Sequence, residues 1–110
     1  MDKNHALDAF AALSQSTRLD VFRLLITAGE VGMSAGDISE TLGVRQNTMS
    51  TNLAILARSG LIRSTREGRR IRYFADMDGM RGLLAFLMED CCGGRPELCQ
   101  PVINELACAC

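Results

Sequence analysis

Apolar side chains recur along this chain at the spacing of helices, and the pattern changes character twice. Leu7, Phe10 and Ala11 form one stripe within residues 5–13, and Leu19, Phe22, Leu25 and Ile26 form another within 17–28. Ser16 suits the N-cap of the second helix and Gly29 its stop. Ser34-Ala35-Gly36-Asp37 has the form of a capping box, with Asp in the Glu place, opening a short helix that turns Ile38 and Leu42 inward and ends at Gly43. Gln46 or Asn47 opens a further helix with Met49, Leu53, Leu56 and Ala57 inward, closing near Ser59-Gly60. The period then shifts from 3.6 to 2: Leu61–Arg66 and Arg69–Ala75 read as two strands joined at Glu67-Gly68, with Ile71 and Tyr73 alternating with Arg70 and Arg72. Asp76 caps a last helix through about Glu89, carrying Met80, Leu83, Leu84 and Leu87.

Residues 34–59 therefore predict helix, tight glycine-containing turn, helix, the arrangement whose second helix enters the major groove of DNA. An Arg-rich hairpin beside it is suited to phosphate or minor-groove contacts. The fold class expected is mainly α with a β-hairpin wing, a winged helix-turn-helix. The apolar face of the last helix exceeds what so small a domain needs for its own core, which with the first helix predicts a homodimer surface. Residues 1–90 are read as the DNA-binding and dimerisation domain. Beyond residue 90 the pattern breaks at Gly93, Gly94 and Pro96, and residues 91–110 are read as a cysteine-rich sensor segment.

Composition sharpens this picture. At 110 residues there is room for one domain, and with no Trp the core is built from Leu, Ile, Val, Ala and Met. The net charge of −1 argues against a nucleic-acid partner until it is resolved by position. Residues 45–72 carry seven arginines against Glu67 alone, a balance of +6, whereas residues 1–44 sum to −3 and residues 73–110 to −4. A basic segment between acidic flanks is a footprint for phosphate. The DNA-facing residues expected are Gln46, Asn47, Ser50, Thr51 and Asn52, supported by Arg45, Arg66, Arg69, Arg70 and Arg72, with double-stranded operator DNA as partner. No apolar run approaches a membrane span and the start is polar, so a cytoplasmic protein without membrane partner is expected. No paired base for a cysteine, phosphate loop or Cys-x-x-Cys motif is present, and no enzymatic activity or organic cofactor is expected.

The stretches Ala12-Leu13-Ser14-Gln15-Ser16-Thr17-Arg18-Leu19, Ser34-Ala35-Gly36-Asp37-Ile38, Met49-Ser50-Thr51-Asn52-Leu53-Ala54-Ile55-Leu56, Ser59-Gly60-Leu61-Ile62 and Arg66-Glu67-Gly68-Arg69-Arg70-Ile71-Arg72-Tyr73 occur in the order found in the ArsR/SmtB winged-helix repressors, which the chain resembles over residues 5–90. The resemblance implies a homodimer of α-α-α-α-β-β-α order that represses its own operon and dissociates from DNA on binding a ligand. The chain departs from the family's common pattern at Thr51 and Asn52, where Arg or Lys and then His are frequent. Two of the family's sensor locations are excluded: residues 30–45 hold no Cys, and the single histidine, His5, is expected to face solvent.

All five cysteines lie in the last twenty residues. In a reducing compartment they read as ligands or sensors rather than a disulfide frame. Cys91, Cys92 and Cys99 resemble the C-terminal set of arsenic-sensing family members. Trivalent arsenic or antimony is a soft, three-coordinate acceptor of thiolate sulfur, which three Cys within nine residues and no nearby His satisfy. Arsenite, antimonite or a methylated arsenite is accordingly the inducer expected at Cys91, Cys92 and Cys99. Cys108 and Cys110 are weaker ligands that would complete a four-sulfur zinc or cadmium site. A thiol redox or persulfide sensor of the same fold is the alternative.

Overall fold

The computed structural model describes residues 1–88 and 96–108. In chain order the elements are α1 (Lys3–Leu13), α2 (Ser16–Ala28), a 3-10 turn (Gly29–Val31), β1 (Met33–Ser34), α3 (Ala35–Leu42), α4 (Gln46–Arg58), β2 (Ile62–Glu67), β3 (Arg70–Ala75), α5 (Met77–Met88) and α6 (Pro96–Cys108). The three strands form one antiparallel sheet in the order β1-β3-β2. β2 and β3 pair from Ile62↔Ala75 to Glu67↔Arg70, which leaves Gly68-Arg69 as a two-residue turn at the tip. This is the winged helix-turn-helix the pattern predicts.

Capping accounts for most boundaries. Ser34 accepts a hydrogen bond from the Asp37 amide at 3.2 Å, and Asp76 accepts one from the Gly79 amide at 3.1 Å. α2 differs from expectation: its cap is Gln15, whose side chain accepts from the Arg18 amide at 2.9 Å, and Ser16 is the first helical residue. Between α3 and α4, Gly43 sits in the left-handed region at φ 67°, which makes the tight turn possible without steric cost.

The core is a single cluster built from Val21, Phe22 and Leu25 of α2, Ile38 of α3, Met49, Leu53 and Leu56 of α4, Leu61, Ile62 and Leu83. α1 corrects the expected stripe. It enters the core through Ala6, Ala9 and Ala12, while Leu7 and Phe10 are exposed. Alanine lets α1 lie close against its neighbours, and the larger side chains are left on the outer face. Leu19 and Ile26 of α2 are likewise exposed, with Val21 taking the inward place. On α5, Leu83 is buried but Met77, Leu84 and Leu87 are not.

Two elements lie outside the expected order. β1 is a two-residue strand that pairs Met33 with Tyr73 and Ser34 with Arg72, tying the start of α3 to the wing. α6 follows Gly93 and Gly94 and carries two prolines, residues that point to irregular chain. Pro96 stands at its first position, where the missing amide hydrogen costs nothing, and Pro101 is accommodated inside it. Leu98, Val102, Ile103 and Leu106 of α6 are exposed. No described helix is long and apolar enough to cross a membrane.

Candidate nucleic-acid interface

The interface is built around α4. Its inward stripe, Met49, Asn52, Leu53 and Leu56, is buried, and this fixes the opposite face outward. Gln46, Asn47, Ser50, Thr51 and Ala54 are all exposed there, as is Arg45 just ahead of the helix. The five on the helix are small or uncharged groups, able to approach base edges and phosphates closely, and Arg45 adds a positive charge. Two of them are steadied locally: Asn47 Oδ1 accepts from the Thr48 amide at 2.8 Å, and the Thr51 hydroxyl donates to the Asn47 carbonyl at 3.2 Å.

Asn52 is the exception among the α4 residues expected to face DNA. It is 6% exposed and lies on the inward stripe, where its Oδ1 accepts a hydrogen bond from Arg18 Nη1 at 3.1 Å. Six residues after Gln46 the helix has turned it to the core side, and a buried amide needs a partner, which α2 supplies.

The wing brings its arginines to the same side. Arg69 and Arg70 line, with Gln46 and Ser50 of α4, an open groove of about 560 Å³ whose α3 wall carries Asp37 and Glu40. Among the described residues the ion pairs are Arg72–Glu67 and Arg81–Asp78, so the guanidiniums of Arg69 and Arg70 are engaged by neither and are exposed. Arg66 also stays at the tip, its Nε donating to the Gly68 carbonyl at 3.4 Å.

Arg72 is corrected. Its Nε donates to Glu67 at 3.1 Å, and its Nη1 donates to the Val31 and Gly32 carbonyls at 3.2 and 3.4 Å. That side chain fastens the wing to the turn before β1, and these intramolecular acceptors engage the guanidinium that the sequence reading assigns to DNA. Arg63 is occupied as well, its guanidinium carbon 4.4 Å from the centroid of the Phe74 ring.

His5 is exposed, as expected, but its ring has a partner that the sequence does not show. Its Nε2 lies 3.1 Å from the Ser59 carbonyl oxygen, so the ring nitrogen donates and ties the start of α1 to the end of α4. No local pattern announces this contact, because the partner is 54 positions away.

Comparison with known proteins agrees with this geometry. A helix-turn-helix domain model matches residues 13–65. An uncharacterized HTH-type transcriptional regulator of Bacillus subtilis, YbzH, is 30% identical over 93 residues, covering 74% of this chain and 93% of that protein. Among solved structures, an ArsR-like transcriptional regulator from Rhodococcus sp. RHA1 superposes with a TM-score of 0.69 at 28% identity, over 94% of this chain and 93% of its own. The chain belongs to the helix-turn-helix transcriptional regulators. The homodimeric winged helix-turn-helix DNA-binding domain of Mb0332 from Mycobacterium bovis is similar too, with a TM-score of 0.65 at 26% identity over 77% of each chain. As a member of this family the regulator binds DNA and is not an enzyme.

Of the cysteines, Cys91, Cys92 and Cys110 lie outside the described residues, and Cys99 and Cys108 fall on α6. Cys99 is disulfide-bonded, where the sequence reading has it as a reduced thiolate. A disulfide sulfur is no thiolate ligand, so capture of a soft ion at Cys99 requires reduction first. Among the described residues no three His, Cys, Asp or Glu side chains are grouped to hold a metal.

Proposed function

We propose that this regulator is a homodimeric repressor that leaves its operator when trivalent arsenic or antimony is captured by Cys91, Cys92 and Cys99, with Cys108 and Cys110 as auxiliary thiols. The observation that carries this reading is the confinement of all five cysteines to the twenty residues that follow the winged-helix body. Soft trivalent ions prefer thiolate sulfur, and this segment holds a surplus of it with no histidine. Dimerisation is supported by the exposed Leu7 and Phe10 of α1 and Leu84 and Leu87 of α5, and by the homodimeric state of the similar Mycobacterium bovis domain. A dimer sets two copies of α4 against successive major grooves, about 34 Å apart. Ligation that gathers the chain after α5 displaces the dimer helices and spoils that spacing. The coupling required is about 1–3 kcal/mol for a typical allosteric pair.

The disulfide at Cys99 favours a second reading, in which the signal is oxidation. Two thiols then give up two electrons and two protons to an oxidant and join as a disulfide, with the same effect on the segment. Cys91→Ser separates the readings from structural damage. It is expected to bind operator DNA like the wild type when reduced, and to stay bound when arsenite is added. Loss of DNA binding by the reduced, ligand-free variant would overturn the division of labour between residues 1–90 and 91–110.

A further inference from the structure

We propose that Arg18 is the positioning residue of the recognition helix, clamping α4 to α1 through Asn52. The inference rests on α4 being the element that reads DNA. Arg18 lies in the first turn of α2, with its amide held by Gln15. Its Nε donates to the Ala12 carbonyl at 2.7 Å, in the last turn of α1, and its Nη1 donates to Asn52 Oδ1 at 3.1 Å. One guanidinium thus spans two acceptors on two different helices. The planar fork of arginine does this and the single ammonium of lysine does not.

The other buried side chains of α4, Met49, Leu53 and Leu56, are apolar. Apolar burial is strong but non-directional, and it leaves a helix free to slide or roll by fractions of an ångström. A charge-assisted hydrogen bond has a preferred distance and angle and removes that freedom. The second tether is the His5–Ser59 contact. Asn52 and Ser59 are seven residues apart, which is nearly two full turns, so both tethers hold the same side of α4 about 10 Å apart along its axis. Two attachments at that separation fix both the tilt and the roll of the helix, and with them the aim of Asn47, Ser50 and Thr51. Ala12 and His5 both belong to α1, whose outer face carries Leu7 and Phe10. Any displacement of α1 is therefore delivered to α4 through these same bonds.

The test uses the full-length, reduced protein and fluorescence anisotropy on two duplexes: one from the gene's own upstream region, and a scrambled sequence of equal length. R18M, R18K, N52A and the R18M/N52A double variant are each expected to lose about tenfold in affinity for the upstream duplex, the scale of one charge-assisted hydrogen bond. The double variant should be no worse than the worse single, because both changes break one link. Affinity for the scrambled duplex and the salt slope should stay at the wild-type value, since no phosphate contact is removed. Wild-type affinity for the upstream duplex in folded R18M or R18K would overturn the proposal. So would additive losses, or a slope reduced by about 0.9 per subunit, which would make Arg18 a phosphate contact. If the wild-type protein does not prefer the upstream duplex, the repressor reading falls and this one with it. If it does and N52A matches it, only the clamp is refuted.

Discussion

Replacing Arg69 and Arg70 together with glutamine separates an electrostatic contact from a structural one. Both side chains are exposed at the wing and face the groove beside α4, unengaged by either described ion pair. Each phosphate neutralised on double-stranded DNA contributes about 0.9 to the slope of log affinity against log salt. The proposed dimer presents two wings, so R69Q/R70Q removes four contacts and lowers the slope by about 3.6. Between 50 and 200 mM salt the wild type then loses about 150-fold more affinity than the variant does. Arg72 is the internal control. Its guanidinium is engaged by Glu67 and by the Val31 and Gly32 carbonyls, with the side chain 31% exposed. R72Q should leave the slope unchanged and lower the stability of the fold by about 1 kcal/mol, the value of a partly screened hydrogen-bonded charge. Anisotropy titrations at five salt concentrations, with thermal melts of each protein, measure both quantities. An unchanged slope in R69Q/R70Q, or an equal flattening in R72Q, would refute the assignment of the wing.

Two further outcomes follow from packing. A Cβ on Gly79 would overlap the Gly60 carbonyl oxygen, so Gly79→Ala must push α5 off the end of α4; a loss of about 2–3 kcal/mol is expected in thermal unfolding at fixed protein concentration. A melting temperature within a degree of wild type would show that α5 is not docked there. Leu84→Glu or Leu7→Glu places a charge on the outer apolar face and should yield a folded monomer by light scattering, with operator affinity reduced at least a hundredfold through loss of bivalent binding. An intact dimer in both variants would move the interface elsewhere.

How far the sequence foretells this molecule depends on the kind of interaction. The order of the first four helices, the hairpin and α5 and the glycine turn at Gly43 are local matters of period and cap, and they are legible, while the turn of the wing falls at Gly68-Arg69, one residue beyond the expected Glu67-Gly68. Which of two apolar stripes faces inward is not local. α1 carries Ala6, Ala9 and Ala12 on one face and Leu7 and Phe10 on the next, and only the closeness of the neighbouring helices decides for alanine. The roles of Asn52 and Arg72 are hidden for a similar reason. Each looks like a DNA contact by type and neighbourhood, yet its partner lies on another element. One signal was available at Asn52: it interrupts the inward run Met49, Leu53, Leu56, and a polar group in such a stripe needs a buried partner. The helix at residues 96–108 is masked by its prolines, which read as breakers unless the first is recognised as a helix start.

The central claim, a DNA-binding regulator governed by its C-terminal thiols, is tested most directly by one titration. Reduced protein is bound to a fluorescent duplex from its own upstream region, and arsenite, zinc and a mild oxidant are added to separate samples. The account predicts tight, salt-sensitive binding that arsenite reverses at micromolar concentration, with full recovery when a competing dithiol removes the arsenic. Binding that none of the three additions disturbs would contradict it.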